Sequence, residues 1–296
     1  MHRISGISLC LAAAALMTSC LSAVKPDGGH GIITFTPVLG TEVRSGDSDK
    51  PFPEDMDFGV WALDGSGTAF MDCEQVSFDG SCWTTAEPFE WPDESLRFIA
   101  CAPHSSGVSL GSEGNILIGD YELQAFPEGL YVTEMTPAVR RTDNTVHLPF
   151  RRATAMIDFR VANGLNEATS VTIEKIILKG IYVRGSFDSS ADPQWNLAGE
   201  PMDITVYDSS RDGAGPEAVR KPQPYGGTLE IIPQQSKPVV EVVYSFRTAD
   251  SEWLSGQRNR TAELQAKWEP GRHYTYTLTI TETIIRHSAG ISTANQ

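Results

Sequence analysis

Residues 268–283, WEPGRHYTYTLTITET, place a turn before a strictly alternating run of side chains. Pro270–Gly271 is a strong turn pair. After it, apolar and threonine side chains take alternate positions: Tyr274, Tyr276, Leu278 and Ile280 against Thr275, Thr277, Thr279 and Thr281. A period of two sends successive side chains to opposite faces of a sheet and excludes a helix. We therefore predict a long β-strand with one apolar face.

Similar short strands are predicted along most of the chain. The clearest are Ile32–Val38, Phe58–Leu63, Leu96–Ala102, Thr145–Phe150, Ala153–Val161, Val171–Leu178, Thr228–Ile232, Val239–Phe246 and Thr261–Trp268. Turn signals such as Asp79–Gly80 separate strands, whereas the polar, turn-rich segment Pro201–Pro224 predicts a long loop. Helical periodicity is nearly absent. The sequence therefore predicts an all-β protein made of sandwiches or barrels.

The N-terminus has the pattern of an export signal. After the basic Arg3, an apolar run continues to Met17 and ends in Thr-Ser-Cys at residues 18–20. Such a run is too short to span a bilayer and is typical of a secretion signal. The final Leu-Met-Thr-Ser-Cys resembles a bacterial lipobox, in which the signal is cut between Ser19 and Cys20 and the cysteine is acylated. A plain signal peptide cut nearby is the alternative.

The length suggests two domains behind this signal, because 296 residues are enough for two separate cores. We expect a signal peptide at 1–19 and a flexible tether, lipidated at Cys20, at 20–31. An N-terminal β-sandwich at 32–148 and a C-terminal β-sandwich at 149–296 would follow. Several acyl chains on Cys20 would anchor the protein stably, and this lipid anchor would be its sole attachment to a membrane.

The net charge of −15 indicates which partners are excluded. An acidic surface repels phosphate backbones, so we expect no nucleic-acid partner. An acidic balance also favours solubility outside the cell.

The cysteines of the folded body are Cys73, Cys82 and Cys101. An odd number is a poor disulfide framework. Cys73 and Cys82 could pair across a hairpin, and three buried free thiols are the favoured alternative. No cysteine or histidine spacing indicates a metal site.

The sequence contains no catalytic signature. HExxH, GxSxG, P-loop and GxGxxG motifs are all missing. The 38 acidic residues make a chance carboxylate pair unremarkable, and no two of them stand out as a glycosidase pair. We therefore expect neither an enzyme nor a cofactor.

Tryptophans offer an alternative function in glycan binding. Aromatic residues in strands are more often core, and Trp61 and Trp268 fit that role. Trp91, between Glu90 and Pro92, and Trp253 are the better candidates for exposed sugar-stacking platforms. A glycan-binding surface lipoprotein that uses them is the alternative interpretation.

Several blocks of sequence resemble the fimbrillin family, the lipoprotein pilins and pilin-like adhesion proteins of anaerobic gut and oral bacteria. The blocks are, in order, Phe58–Ala62, Trp91–Pro103, Leu148–Ala155, Ile176–Trp195 and Glu269–Ile280. The resemblance implies two transthyretin-like β-sandwich domains in tandem, outer-membrane lipid anchoring, and a structural or adhesive role in fimbriae. Partners would be other fimbrial subunits and an unidentified surface ligand of host or bacterial origin.

The resemblance also implies a mode of assembly. In fimbrial subunits of the family, an arginine-specific protease removes the first strand, and a strand from a neighbouring subunit fills the groove. Arg44, followed by Ser45, stands where that cut would fall. An ordinary loop arginine is the alternative.

The segment after the alternating strand departs from the stalk subunits of the family. Residues 282–296 are polar, and their few apolar side chains lack sustained alternation. We expect a weak donor strand, which favours a terminal, accessory or non-polymerising role.

Overall fold

The computed structural model describes residues 31–40, 50–139, 144–190, 194–249 and 251–293, without the side chains of 251–254. The predicted signal peptide, Ser19, Cys20, Arg44 and Ser45 lie outside the described residues. Among the described residues, no helix has the length and apolarity needed to cross a bilayer.

The first part of the chain is built from short strands. They are β1 Thr34–Leu39, β2 Lys50–Pro51, β3 Phe58–Leu63, β4 Ala69–Phe78, β5 Trp83–Thr85, β6 Leu96–Ala102, β7 Val108–Leu110, β8 Ile116–Glu122, β9 Tyr131–Val132, β10 Thr136–Ala138 and β11 Thr145–Arg152. One 3-10 turn, Leu123–Ala125, lies between β8 and β9.

The second part contains longer strands and one helical turn, α1 Ser209–Asp212. The strands are β12 Ala155–Asn163, β13 Thr169–Ile181, β14 Arg184–Asp188, β15 Trp195–Ala198, β16 Met202–Asp208, β17 Gln223–Ile231, β18 Gln234–Ser236, β19 Val239–Thr248, β20 Ser251–Glu263, β21 Ala266–Trp268, β22 Arg272–Ile280 and β23 Ile285–Thr293. The all-β prediction is confirmed.

The alternating strand β22 lies inside a sheet of order β17-β12-β22-β23. Its apolar side chains are buried, whereas its threonines are half-buried on the other face. β12 pairs with it in parallel, from Met156↔His273 to Asn163↔Ile280, and buries its own alternate residues. The period of two in the sequence therefore identified both strands and the buried face of each.

The large sheet of the first part closes on itself. Its strands follow the order β10-β6-β3-β4-β5-β1-β11-β9, and β9 also pairs with β6. The pairs Cys101↔Val132 and Ala102↔Tyr131 make this closure. β1 is therefore one strand of a closed ring, and its removal would open the ring between β5 and β11.

The predicted boundary between residues 148 and 149 falls within β11. One hydrophobic core lies within the first part, around Phe58 and Phe150. A second core takes buried residues from both sides of the boundary. β8 of the first part also pairs with β14 of the second, in a sheet of order β15-β14-β8-β7. The division into tandem transthyretin-like domains stays a prediction.

The structure differs from the sequence prediction in two segments. Residues 201–224 are not a continuous loop, because β16 forms there and pairs with β13. Residues 285–293 form β23, which pairs with β22 over nine residues but buries only Ile285. In both segments the side chains are mostly exposed or half-buried, so backbone pairing to a neighbouring strand sets the structure more than local hydrophobicity does.

Candidate functional site

β1 lies between two other segments of the ring. It pairs in parallel with β11, from Thr34↔Thr145 to Leu39↔Phe150. On its other side it pairs antiparallel with β2 and β5. Both edges of the strand are therefore used, and a strand that took its place would find backbone partners on each side.

Alternate side chains of β1 point into the core of the ring. Ile33, just before the strand, is 1% exposed and Phe35 is 3% exposed, and Pro37 is buried as well. The Phe35 ring lies edge-on to Phe58 and Phe98, with centroids 6.0 and 6.2 Å away. Burying a side chain of this size contributes about 1.5–3 kcal/mol. Three apolar anchors at a spacing of two therefore hold the strand.

Backbone hydrogen bonds hold the ends of the strand. The Ile33 amide donates to Phe89 O at 2.8 Å, and the Thr34 amide to Asn144 O at 3.1 Å. At the other end the Gly40 amide donates to Phe150 O at 2.9 Å. Such bonds depend little on side-chain identity, so any extended segment with suitable alternation could make them.

The walls around β1 are aromatic. Phe52 packs against Phe150 with ring centroids 4.7 Å apart, and Phe58 against Trp83 at 5.5 Å. Val146 and Leu148 of β11 are also buried in this core. A groove left by β1 would be apolar and shaped for alternating side chains. The predicted cut at Arg44–Ser45 falls in residues 41–49, which join β1 to β2 and lie outside the described part.

The prediction that Trp91 is exposed is wrong. The residue is 1% exposed, and its indole Nε1 donates to Asn144 O at 3.1 Å. Its backbone amide also donates to Gly31 O at 3.0 Å, so Trp91 lies next to the residues that lead into β1. The neighbouring Glu90 and Pro92 suggested a surface position, but long-range pairing buries the ring. Trp91 therefore cannot be a sugar-stacking platform.

The other tryptophan predictions have different outcomes. Trp61 and Trp268 are each 2% exposed, so their assignment to the core is confirmed. Trp253 belongs to β20, but its side chain lies outside the described part. Its role as a candidate glycan contact stays a prediction.

The three cysteines of the body are free thiols. The candidate pair between Cys73 and Cys82 is not formed. The Cys82 thiol instead lies 3.6 Å from Asp79 Oδ2, to which it donates. Burial raises the pKa of the Cys101 thiol, which makes it a poor nucleophile.

A buried polar cluster joins the two parts of the chain and was not predicted from the sequence. Arg152 Nη1 lies 2.5 Å from Glu230 Oε1, and both side chains are 9% exposed. Glu230 Oε2 accepts from the Thr154 hydroxyl at 2.6 Å. Arg152 also donates to the Tyr131 hydroxyl and to Glu128 O, the latter at 3.1 Å. The cluster fixes the ends of β9 and β11 against β17.

A glycine leaves space for this cluster. Gly129 has a positive φ of 89°, a backbone conformation that favours glycine. A Cβ built on it would lie 2.4 Å from Arg152 Nη1 and 2.7 Å from Glu230 Oε2. No pattern in the sequence marks Gly129 as a residue of positive φ or brings it next to Arg152, so the cluster could not be predicted.

Comparisons with known proteins agree with this architecture. A family model described as fimbrillin-like matches residues 43–293. A fimbrial protein from Bacteroides vulgatus has 13% identity and a TM-score of 0.64, over 89% of this chain and 99% of that chain. A protein assigned to cell adhesion from Bacteroides uniformis has 15% identity and a TM-score of 0.57, over 89% and 99%.

No curated protein matches the sequence. The solved structures are too distant in sequence to show more than a shared fold. The family match, by contrast, covers most of the chain. It includes strands β3, β6, β11 and β22. The chain belongs to the fimbrillin-like family.

Proposed function

We propose that the protein is a lipid-anchored, surface-exposed component of the outer membrane that accepts a strand from another fimbrial subunit in place of β1. Its role is structural or adhesive and not catalytic. Membership of the fimbrillin-like family supports a fimbrial role at the cell surface. The Leu-Met-Thr-Ser-Cys sequence that ends at Cys20 supports the lipid anchor.

The observation that carries the proposal is the position of β1. The strand is internal to the ring, carries three buried anchors, and leads directly into the segment that contains Arg44. Cleavage there would cut the covalent link between β1 and the remaining strands on its C-terminal side. The apolar walls around Phe58 and Phe150 would then need another strand to cover them.

The properties of β23 favour a terminal or accessory subunit over a stalk subunit. A donor strand for a groove of this kind needs several large apolar side chains at alternate positions. β1 places Ile33 and Phe35 in the core, whereas β23 places Ile285 alone there. β23 also pairs along its whole length with β22 of its own subunit. It is therefore a weak donor.

The proposal is tested by incubating the mature protein with an arginine-specific protease and sequencing the new N-terminus. We expect a product that begins at Ser45 and stays folded. Arg44→Lys is the matched control, because it keeps the positive charge but removes the cleavage site. A wild-type protein cut at other arginines and never before Ser45 would contradict the proposal.

A further inference from the structure

A groove at one end of the second part is not used by the proposed strand exchange. It is a cavity of about 510 Å³ formed by the turn from β12 to β13, by residues 217–220, and by the end of β19. Cavities of this size are typical of small-ligand sites.

The frame of the groove is fixed by backbone hydrogen bonds. The Ala218 amide donates to Val171 O and the Asn163 amide to Val219 O, each at 2.9 Å. The Ala249 amide donates to Ala168 O at 2.8 Å. These bonds tie all three lining segments together, so the cavity exists before any ligand binds.

The lining offers donors and acceptors in balance. Arg220 and Arg247 supply guanidinium groups, and Glu167 and Glu217 supply carboxylates. Arg220 and Glu167 form only a long, exposed contact of 3.8 Å. Asn166 uses its oxygen to accept from the Thr169 hydroxyl at 2.7 Å, which leaves its amide NH₂ as a donor toward the groove. Within the described part, Arg247 has no ion-pair partner.

A second depression of about 390 Å³ continues the groove past Arg247 and Ser170, which line both cavities. It is lined by Phe246 and by the hydroxyls of Thr172 and Ser245. The Phe246 ring lies beside Gly256, where a Cβ would be 3.7 Å from its Cε1 atom. The Arg258 guanidinium lies over the Phe246 ring, 4.6 Å from its centroid, so this face of the ring is already occupied.

We propose that the two depressions form a binding site for a neutral oligosaccharide. Each sugar hydroxyl both donates and accepts a hydrogen bond, which matches a lining that contains amide, guanidinium and carboxylate groups. Glu167 and Glu217 disfavour an anionic ligand, and Arg220 and Arg247 disfavour a cationic one. The exposed polar lining disfavours a purely apolar ligand.

The inference rests on the proposed adhesive role and names its ligand class. It differs from the tryptophan-based alternative because none of the lining residues is a tryptophan. The site also lies on β12, β13, β19 and β20, away from β1, so saccharide binding and strand exchange can fail independently.

The test is an array of neutral oligosaccharides probed with uncut mature protein, followed by calorimetric titration of the best-binding sugar. We expect Arg247→Ala and Asn166→Ala each to weaken binding about tenfold or more, since each removes hydrogen-bond donors to the sugar. Arg97→Ala, an exposed arginine on β6 of the first part, is the matched control and should bind as the wild type does.

Thermal unfolding of each variant shows whether the fold is retained, and both substituted side chains are exposed. The proposal is overturned if no neutral oligosaccharide on the array binds, or if a sugar binds equally to the wild type and to Arg247→Ala. Selective binding of acidic sugars or of peptides by the wild type would overturn the assignment of ligand class.

Discussion

Arg152 joins the two parts of the chain through several contacts of one side chain. Its guanidinium group reaches Glu230 on β17, Tyr131 on β9 and the Glu128 carbonyl at the same time. It also lies over the Tyr131 ring, 4.4 Å from the centroid. Only a planar group with several donors can make these contacts together. The next residue back, Arg151, is 51% exposed and pairs with Glu134 at the surface.

Arg152→Ala should lower the free energy of unfolding by about 3–5 kcal/mol, because it leaves the Glu230 carboxylate buried without its charged partner. Chemical denaturation monitored by fluorescence measures this change. Arg151→Ala is the control in the adjacent residue, and it should change stability by less than about 1 kcal/mol. Equal effects of the two substitutions would show that the cluster does not hold the structure together.

Glu230 gives the cluster a pH dependence. Burial raises the pKa of Glu230, and the Arg152 charge and the Thr154 hydroxyl offset part of this rise. A carboxyl group with a raised folded pKa contributes stability that is fully present below its unfolded pKa and is lost as pH rises through the folded pKa. The ordinary pKa of a glutamate, which serves as the reference for the unfolded chain, is 4.5.

The free energy of unfolding of wild type relative to Glu230→Gln should therefore fall as pH rises above about 4.5. Denaturation of both proteins at pH 4 and at pH 7 measures the difference. A relative stability that increases with pH would mean that the Arg152 charge outweighs burial and that the pKa of Glu230 is lowered.

At the scale of the element, side-chain alternation predicted the strands that are buried on one face. β22 and β12 follow this pattern. β3 is buried on both faces along its whole length, and β6 is buried on both faces except at the exposed Arg97. Local patterns could not predict β16 or β23, whose side chains are mostly exposed or half-buried. They also could not predict that the two-residue strand β9 closes the ring, because that pairing joins residues far apart in sequence.

β1 is the element that the functional proposal depends on, and Phe35 is its largest anchor. Phe35→Ala should lower the free energy of unfolding by about 3–5 kcal/mol. The substitution removes buried apolar surface and leaves a cavity among Phe58, Phe98 and their neighbours, which relax into it only in part. Thr36→Ala, on the exposed face of the same strand, should cost less than about 0.5 kcal/mol. Equilibrium unfolding of the two variants in urea tests this contrast, and similar losses would contradict the buried-anchor account.

At the scale of the molecule, the sequence predicted the all-β class and the fimbrillin-like family, and the choice of β1 as the strand that we propose to be exchanged followed from that resemblance. The contacts across the boundary could not be predicted. β8 pairs with β14, and the second core draws on both parts, which only the folded topology brings together. The wrong prediction of an exposed Trp91 has the same cause. The carbonyl that accepts its indole N–H belongs to Asn144, 53 residues away along the chain.

The arrangement explains how the molecule could lose β1 and remain folded. The Arg152 cluster holds β9 and β11 on one side of the gap, and β9 keeps its pairing with β6. The ring would therefore open only where β1 had been. Loss of one strand then creates a groove without separating the two parts of the chain.

The most direct test is binding of a fluorescent peptide with the sequence of residues 31–40 to protein cut at Arg44 and freed of its first strand, measured by fluorescence anisotropy. We predict saturable binding to the cut protein, none to uncut protein, and at least about tenfold weaker binding of a peptide carrying Phe35→Ala. A cut, folded protein that binds neither peptide, or binds both equally, would contradict the claim that the space left by β1 accepts a replacement strand.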